Sequence, residues 1–265
     1  MKKKVLKITA LVVAIALIIG IGLFADSLVG NPISYALAKS TAKKHIDENY
    51  SDSDYELSDV SYSFKDCYYH AHITSESSLD GDFSLMINAF GKVCYDNYDY
   101  HVKSGWNTAC RIESEYREAV SALIESKSFP YDTHMGYGEI EFISTEDKDA
   151  PGIPNYAIPS EELTPDKFYD YNQFAKRAGK ITIYLTDPAP TAERLGEILL
   201  DIRESFDAAG ISFYAIDCIL EGETPDDDRI EVVDFLYSDI YRTGIAKRVE
   251  ASNFAANDYY YNQDK

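Results

Sequence analysis

Positive charge is scarce in this chain of 265 residues. Lys and Arg number 25 against 45 Asp and Glu, which gives a formal net charge of −20 at pH 7. A polyanion is repelled by the phosphates of DNA and RNA and by anionic lipid headgroups. This imbalance excludes nucleic acid as a partner bound over a basic face. The apolar content of 45% is nevertheless too high for a disordered acidic tail.

Cysteine is also scarce, and its spacing excludes the common cysteine sites. The four cysteines (Cys67, Cys94, Cys110 and Cys218) form no C-x-x-C and no paired spacing suited to zinc. None precedes Cys67, which excludes a lipid-modified cysteine directly after the N-terminal apolar run. Cys67 and Cys94 lie on predicted strands of one sheet and are the only pair to test for a disulfide. Isolated small hydrophobic residues are the favoured interpretation of all four.

Catalytic motifs are equally sparse. The chain has no G-x-S-x-G, no glycine-rich phosphate loop and no H-E-x-x-H. Ser40 and Lys43 fit S-x-x-K, but neither S-D-N nor K-T-G follows. His70 and His72 share one face of a predicted strand, without a third ligand at a suitable spacing. We therefore expect no enzyme, no cofactor, and no catalytic, cofactor-binding or metal-ligating residue.

Acidic residues are dense in two places. Seven carboxylates lie from Asp47 to Asp66, and residues 226–228 are three consecutive aspartates. Neither segment has the D-x-D-x-D-G frame with a later glutamate that an EF-hand requires. The second group is expected at the start of a helix, where carboxylates complement the helix dipole. A weak, non-specific cation-binding surface is the alternative.

The one long apolar run lies near the N-terminus. Residues 8–25 carry no charge and, at about 1.5 Å per residue, are just long enough to cross a hydrocarbon core of roughly 30 Å. A cleaved signal peptide is the alternative, but the best small-x-small site, residues 36–38, lies too far downstream. Four lysines precede the run and Asp26 follows it. The positive-inside rule then places the N-terminus in the cytoplasm and the chain from about Asp26 outside the cell.

Hydrophobic periodicity predicts an α+β fold, with an N-terminal transmembrane helix followed by two small modules of helix on antiparallel or mixed sheet. The predicted parts are the cytoplasmic tip and anchor (1–27), an N-terminal α+β module (28–130), a C-terminal α+β module (131–250) and a frayed tail (251–265).

Within these modules the helices and strands follow from local signals. Asn31 and Pro32 start a helix, about four strands follow, and a helix over about 107–126 closes the N-terminal module. In the C-terminal module the clearest helix is 191–209, followed by a strand at 212–220 and a final helix over about 228–242.

Tyrosine is abundant, with 22 residues against 12 Phe. Half-buried sheet positions explain most of it, and a partner-binding or glycan-binding surface is the alternative.

Several segments, in this order, resemble the YfjL-like family of membrane-anchored proteins of Gram-positive bacteria. They are the lysine-flanked anchor, GNPIS (30–34), DGDF (80–83), FGKV (90–93), GWNTA (105–109), YAIDCIL (214–220) and DFLYSDIY (234–241). The resemblance covers about residues 1–250, and its segments are turn glycines, a helix cap and core strands. It implies a membrane location and a two-part exported region, and it supplies no site residues and no activity.

Together these features favour a single-pass membrane protein whose extracytoplasmic domains act as an interaction or sensing module at the cell envelope, without catalysis. The membrane is one expected partner and an envelope protein is a candidate for a second, while the oligomeric state stays open. One alternative is an envelope enzyme whose site is assembled only in three dimensions, around His70, His72 and an aspartate. Another is an adhesion module that depends on a divalent cation.

Overall fold

Two four-stranded sheets organise the fold, one in each of two units of the chain. The computed structural model describes residues 2–147, 150–224 and 229–263. It divides into a first unit, Met1–Asn107, and a second unit, Thr108–Lys265. Each unit combines helices with a sheet, one antiparallel and one mixed. The predicted α+β class is confirmed.

The first unit begins with two helices joined at Gly30. Helix α1 spans Lys2–Val29 and helix α2 spans Pro32–Asn49. The most apolar 18 residues of this N-terminal stretch have a mean hydropathy of 2.5 and are long enough to cross a membrane. The Asn31 side chain caps α2 by accepting a backbone N–H of the first turn at 2.7 Å. Gly30 has a φ of +71°, the left-handed conformation in which helices commonly end.

The sheet of the first unit is an antiparallel meander that packs on α2. Its strands follow one another along the chain and in space: β1 Tyr55–Ser63, β2 Tyr68–Ser75, β3 Phe83–Ile87 and β4 Val93–Asp96. The register shifts between Leu57 and Asp59, a bulge that accounts for the slip of phase in the sequence pattern. Ala38 and Ala42 of α2 are fully buried in the core of this unit. Because these side chains are small, the helix can approach the sheet closely.

From residue 106 onward the chain builds the second sheet and the helices around it. The elements are α3 Trp106–Ile124, β5 Thr133–Ile140, β6 Phe142–Ile143, β7 Ile158–Pro159, α4 Tyr171–Ala178, β8 Gly179–Thr186, α5 Ala192–Ala209, β9 Ala215–Glu221, β10 Arg229–Leu236 and α6 Ile245–Gln263. The strand order of the main sheet is β10-β9-β8-β5, with β8 and β9 parallel and the two outer pairs antiparallel.

Helix α5 makes the crossover between the parallel strands β8 and β9. The Thr191 hydroxyl accepts the Arg194 N–H at 3.2 Å at its start, and Gly210, with φ +70°, ends it, as predicted. Its apolar stripe is buried in the core of the second unit: Leu195, Ile198, Leu199, Ile202 and Phe206. Parallel strands require a long connection of this kind, and burying the helix stripe also covers one face of the sheet.

Helix α3 packs in the core of the second unit, although the sequence placed it in an N-terminal module ending at residue 130. Its apolar face, which includes Ile112, Tyr116 and Val120, is fully buried in the same cluster as β8 and α5. Gly138 of β5 faces this helix, and a Cβ there would lie 2.6 Å from Val120 Cγ2. The helix therefore packs where the strand has no side chain, a fit that the spacing of residues along the helix does not reveal.

The structure differs from the sequence prediction in two C-terminal segments. Residues 229–236 form strand β10 and not the start of a helix, because Ile230 and Val232 pair with Leu220 and Cys218 of β9. Without this pairing, β9 would leave its backbone groups unsatisfied along a buried edge. Residues 251–263, expected to be a frayed tail, continue α6 to Gln263. The aspartates at 226–228 lie outside the described residues.

Substitution of Gly138 by Ala tests the contact between α3 and β5. The new Cβ would meet Val120 Cγ2 at 2.6 Å and Tyr116 Cε1 at 2.9 Å, and overpacking of this kind costs about 1–3 kcal/mol. We expect a lower melting temperature by circular dichroism for the full chain in detergent. Gly136→Ala is the matched control, because its nearest neighbour is the flexible Ile124 Cδ1 at 2.9 Å. An equal loss in both variants would contradict the proposed packing.

Candidate functional site

The residues that sequence motifs singled out do not form a common site. His70 Nε2 lies 2.9 Å from Asp66 Oδ2 in the turn before β2, whereas His72 is exposed. Ser40 and Lys43 are both exposed on α2. Within the parts of the chain that the structure describes, no group of three or more His, Cys, Asp or Glu side chains could hold a metal ion.

The four cysteines are free. Cys67 has a φ of +61° and lies in the turn before β2, while Cys94 lies on β4. Strand β3 separates β2 from β4, and two strand spacings amount to about 9.5 Å, beyond the roughly 7 Å that a disulfide tolerates between Cα atoms. Cys218 is fully buried, and this burial raises the pKa of its thiol to about 12. It behaves as a small hydrophobic residue.

The acidic segment between residues 47 and 66 has a structural role at Asp54. Its carboxylate accepts the Ser75 hydroxyl at 2.5 Å and the Ser77 N–H at 2.9 Å. These hydrogen bonds hold the pKa of Asp54 below its usual range and connect the start of β1 to the end of β2.

A polar cluster in the second unit is the best candidate for a functional site. Lys180 Nζ lies 3.1 Å from Asp217 Oδ2 and 3.4 Å from Asp234 Oδ1. The Tyr156 hydroxyl donates to Asp234 Oδ1 at 2.7 Å. We call these four residues the Lys180 cluster. The side chains of Lys180 and Asp217 are only 15% and 17% exposed, so their charges interact with little screening by water.

Strand alternation places the Lys180 cluster on the face of the second sheet that points away from the core. Ile181 and Ile183 of β8 are fully buried in the core, so Lys180 points to the opposite side. The parallel register pairs Thr182 with Asp217 of β9, which puts that carboxylate on the same side. We call this side the outer face. The antiparallel register pairs Glu139 of β5 with Lys180 and adds a further carboxylate to it.

Asp234 reaches the cluster through a bulge in β10. Its φ is +47°, and the register of β10 shifts between Val232 and Phe235. A left-handed conformation costs a non-glycine residue about 1–2 kcal/mol. The Asp234 N–H donates to Asp217 Oδ1 at 2.7 Å, and the Tyr156 hydroxyl binds the Asp234 carboxylate. These two hydrogen bonds offset the strain and bring a second carboxylate to Lys180.

Burial and like charge raise the pKa of three carboxyl groups around Lys180. For Asp217 desolvation is the largest cause, and it outweighs the Asp234 N–H and the Lys180 ammonium. Desolvation also raises the pKa of Glu139 and of Glu141, and for Glu141 the neighbouring Glu139 adds to the shift. Carboxylates therefore outnumber the single ammonium group, and Asp217, Glu139 and Glu141 hold a proton more readily than a free carboxyl does.

The cluster is suited to binding and not to nucleophilic attack. Burial lowers the pKa of Lys180, but Asp217 and Asp234 outweigh it, so the pKa lies above its usual range and the amine stays protonated. Burial and the Asp234 carboxylate raise the pKa of the Tyr156 phenol. A protonated amine and a neutral phenol donate hydrogen bonds but are poor nucleophiles. The carboxylates beside them can recognise a positive charge.

Aromatic and sulfur side chains share the outer face with the cluster. The register of β5 and β8 pairs Tyr137 with Thr182 and Met135 with Tyr184, which continues the same side of the sheet away from Lys180. Met135 is exposed and both tyrosines are partly exposed. Tyrosine and methionine are enriched at protein interfaces, where the tyrosine ring gives contact area and its hydroxyl a hydrogen bond.

Sequence reasoning missed this site, although one signal could have indicated it. Asp217 interrupts the apolar segment YAIDCIL, and a carboxylate inside a central strand requires a charged or hydrogen-bonding partner. The partner could not be identified, because Lys180 is 37 residues away in sequence (217 − 180) and only the parallel register of β8 and β9 brings the two together.

Comparison with known proteins gave two family matches and one structural likeness. The model of the YfjL-like N-terminal domain matches residues 2–97, and the model of the YfjL-like C-terminal domain matches residues 115–250. The search of curated proteins found no match. The structural likeness is to the crystal structure of a DUF5037 family protein from Ruminococcus gnavus. The two sequences are 16% identical, the match covers 69% of this chain and 73% of that protein's chain, and the TM-score is 0.23.

Substitution of Glu141 by Gln tests the electrostatics of the cluster. A carboxyl whose pKa is raised in the folded state contributes stability below its unfolded pKa of about 4.5, and this contribution is lost as the pH rises through the folded pKa. At pH 7 the ionised Glu141 therefore opposes folding, and Glu141→Gln should raise the melting temperature. At pH 4 the gain should disappear, because Glu141 is then protonated.

Glu161→Gln is the control of opposite sign. Desolvation raises the pKa of Glu161, but hydrogen bonds, including those from the Thr145 N–H and hydroxyl, outweigh it and hold the pKa low. Its ionised form stabilises the fold at pH 7, so this variant should melt at a lower temperature there. A gain from Glu141→Gln that is equal at pH 7 and pH 4 would contradict the charge effect.

Proposed function

The chain belongs to the YfjL-like family. We propose that it is a single-pass membrane protein whose exported α+β units act as a non-catalytic interaction or sensing module at the cell envelope. The observation that carries the anchor is the exposure of α1. None of its most apolar window is buried, and large apolar side chains are exposed all around it: Leu11, Val12, Val13, Ile15, Leu17, Ile18, Ile19 and Ile21. Moving such a side chain from water into apolar surroundings is favourable by about 1.5–3 kcal/mol. The hydrocarbon core of a bilayer offers such surroundings.

The junction after α1 supports a retained anchor over a cleaved leader. The Tyr62 hydroxyl donates to the Ser27 carbonyl at 3.1 Å, and the Asn31 N–H donates to the Tyr69 hydroxyl at 2.9 Å. Gly30 has no room for a side chain, since a Cβ would lie 2.7 Å from the Tyr69 oxygen. A leader that is cleaved off has no need of hydrogen bonds and close packing against the sheet of the folded protein. The family model from residue 2 to 97 also includes α1.

The outer face of the second sheet supports an interaction role. It combines an electronegative cluster with partly exposed tyrosines and Met135. Lys180 and Tyr156 of the cluster are protonated and poorly nucleophilic. A partner with a cationic group beside an apolar surface would complement it in charge and in polarity. An envelope enzyme assembled around His70 and His72 is the weaker alternative. Asp66 lies 2.9 Å from His70 Nε2, but His72 is exposed, and the described residues hold no group of three metal-ligating side chains.

Reporter fusions test the anchor and its orientation. Alkaline phosphatase fused after Ser27 should be active in intact cells, and the same enzyme fused after Lys7 should be inactive, because only the first fusion contains the apolar helix. The mass of the purified full-length chain should include the N-terminal lysines. An inactive Ser27 fusion would overturn the orientation, and a chain that lacks residues 1–25 would establish a cleaved leader.

Site-specific photocrosslinking tests the interaction role. A photoreactive residue in place of Met135, on the outer face of the second sheet, should give a discrete adduct in the native membrane. Asp217→Asn should weaken this adduct several-fold, since it removes charge from the cluster. The same probe at Phe168, which is exposed in this unit and lies against Arg111 of helix α3, is the control. Equal adducts at both positions, or none at 135, would contradict an interaction through this face.

A further inference from the structure

Two hairpin turns lie at one end of the first sheet. In a meander the turns alternate between the two ends, so the β1–β2 and β3–β4 turns share an end and the β2–β3 connection lies at the other. Phe64 in the first turn and Phe90 in the second are 58% and 89% exposed. A lysine is close behind each of them in sequence, Lys65 and Lys92.

This end of the sheet adjoins the end of α1. Tyr62, near the end of β1, binds the Ser27 carbonyl of the last turn of α1. Tyr69, near the start of β2, binds the backbone of Asn31. Phe64 lies two residues beyond Tyr62 along the chain, and the β1–β2 turn therefore lies next to the point where the apolar helix ends.

The second turn extends the same apolar surface along α2. The Thr41 hydroxyl donates to the Gly91 carbonyl at 2.9 Å, and a Cβ at Gly91 would lie 3.3 Å from Leu37 Cβ. Ile33 and Leu37, four residues apart on α2, are exposed, and Val29 is exposed at the end of α1. Apolar side chains therefore continue from the end of α1 along α2 to the turn that carries Phe90.

We propose that this end of the first sheet rests on the outer leaflet of the membrane that α1 spans, with Phe64 and Phe90 inserted among the lipid headgroups and upper acyl chains. A cluster of exposed apolar side chains beside basic ones is typical of surfaces that lie in a membrane interface. Lys65 and Lys92 place their ammonium groups at the level of the lipid phosphates while their methylene chains remain in contact with apolar surface. The contact fixes the orientation of the first unit relative to the bilayer.

The net negative charge of the chain does not oppose this contact. The insertion is driven by apolar burial, and the acidic side chain of the β1–β2 turn is already engaged. The Asp66 carboxylate accepts the Tyr68 N–H at 3.1 Å and lies 2.9 Å from His70 Nε2. A zwitterionic bilayer is therefore sufficient for the contact.

Tryptophan quenching in the full-length chain tests this proposal, which rests on the proposed anchor. Trp106 is first replaced by Phe, and single tryptophans are introduced by Phe64→Trp, Phe90→Trp, Leu79→Trp or Phe24→Trp. Each protein is reconstituted in phosphatidylcholine nanodiscs, with or without lipid brominated near the headgroup. Leu79 is the matched control, because it lies in the β2–β3 connection at the opposite end of the sheet and is 60% exposed. Phe24 reports on the anchor itself.

Quenching at positions 64 and 90 should exceed that at position 79 at least twofold, with blue-shifted emission at both. If position 24 is quenched but position 64 or position 90 is quenched no more than position 79, the proposed contact between the sheet end and the membrane is overturned and the anchor stands. If position 24 is not quenched, the anchor fails and this proposal fails with it.

Discussion

The parallel pairing of β8 with β9 is the constraint on which the second unit depends. Parallel strands cannot be joined by a tight turn, so α5 crosses one face of the sheet and buries its apolar stripe there. That face takes the apolar residues of both strands, such as Ile183 and Cys218, which are fully buried. Since side chains alternate, Lys180 and Asp217 point to the other face, where the register brings them to 3.1 Å. The candidate site is thus a direct consequence of how the core is built.

The first unit is organised by close approach between a helix and a sheet. Ala38 and Ala42 allow α2 to lie on the meander, and the meander returns both hairpin turns to the end where α1 meets it. Tyr62 and Tyr69 bind the backbone at this junction. These contacts hold the end of α1 against the end of the sheet at which Phe64 and Phe90 are exposed.

The carboxyl groups of this acidic chain include two kinds that differ in the direction of their pKa shift. Some carboxyl groups accept hydrogen bonds and have lowered pKa values, among them Asp54 and Glu161. Glu139, Glu141 and Asp217, which lie around Lys180, are partly buried and have raised pKa values. The first kind stabilises the fold at neutral pH, whereas the second kind opposes it. Binding sites often retain strained electrostatics of this kind, and an opposing charge on a partner would relieve it.

The sequence by itself determined the apolar helix, the caps at Asn31 and Thr191, the positions of most strands along the chain and the α+β class, because each rests on local periodicity or on one cap residue. Only the tertiary structure decided that α3 packs on the glycine positions of β5 and that residues 229–236 form a strand, since both depend on a partner distant in the chain. The Lys180 cluster belongs to the second kind. A lysine and an aspartate 37 residues apart (217 − 180) become neighbours only through strand register, and register follows from the burial of the whole core.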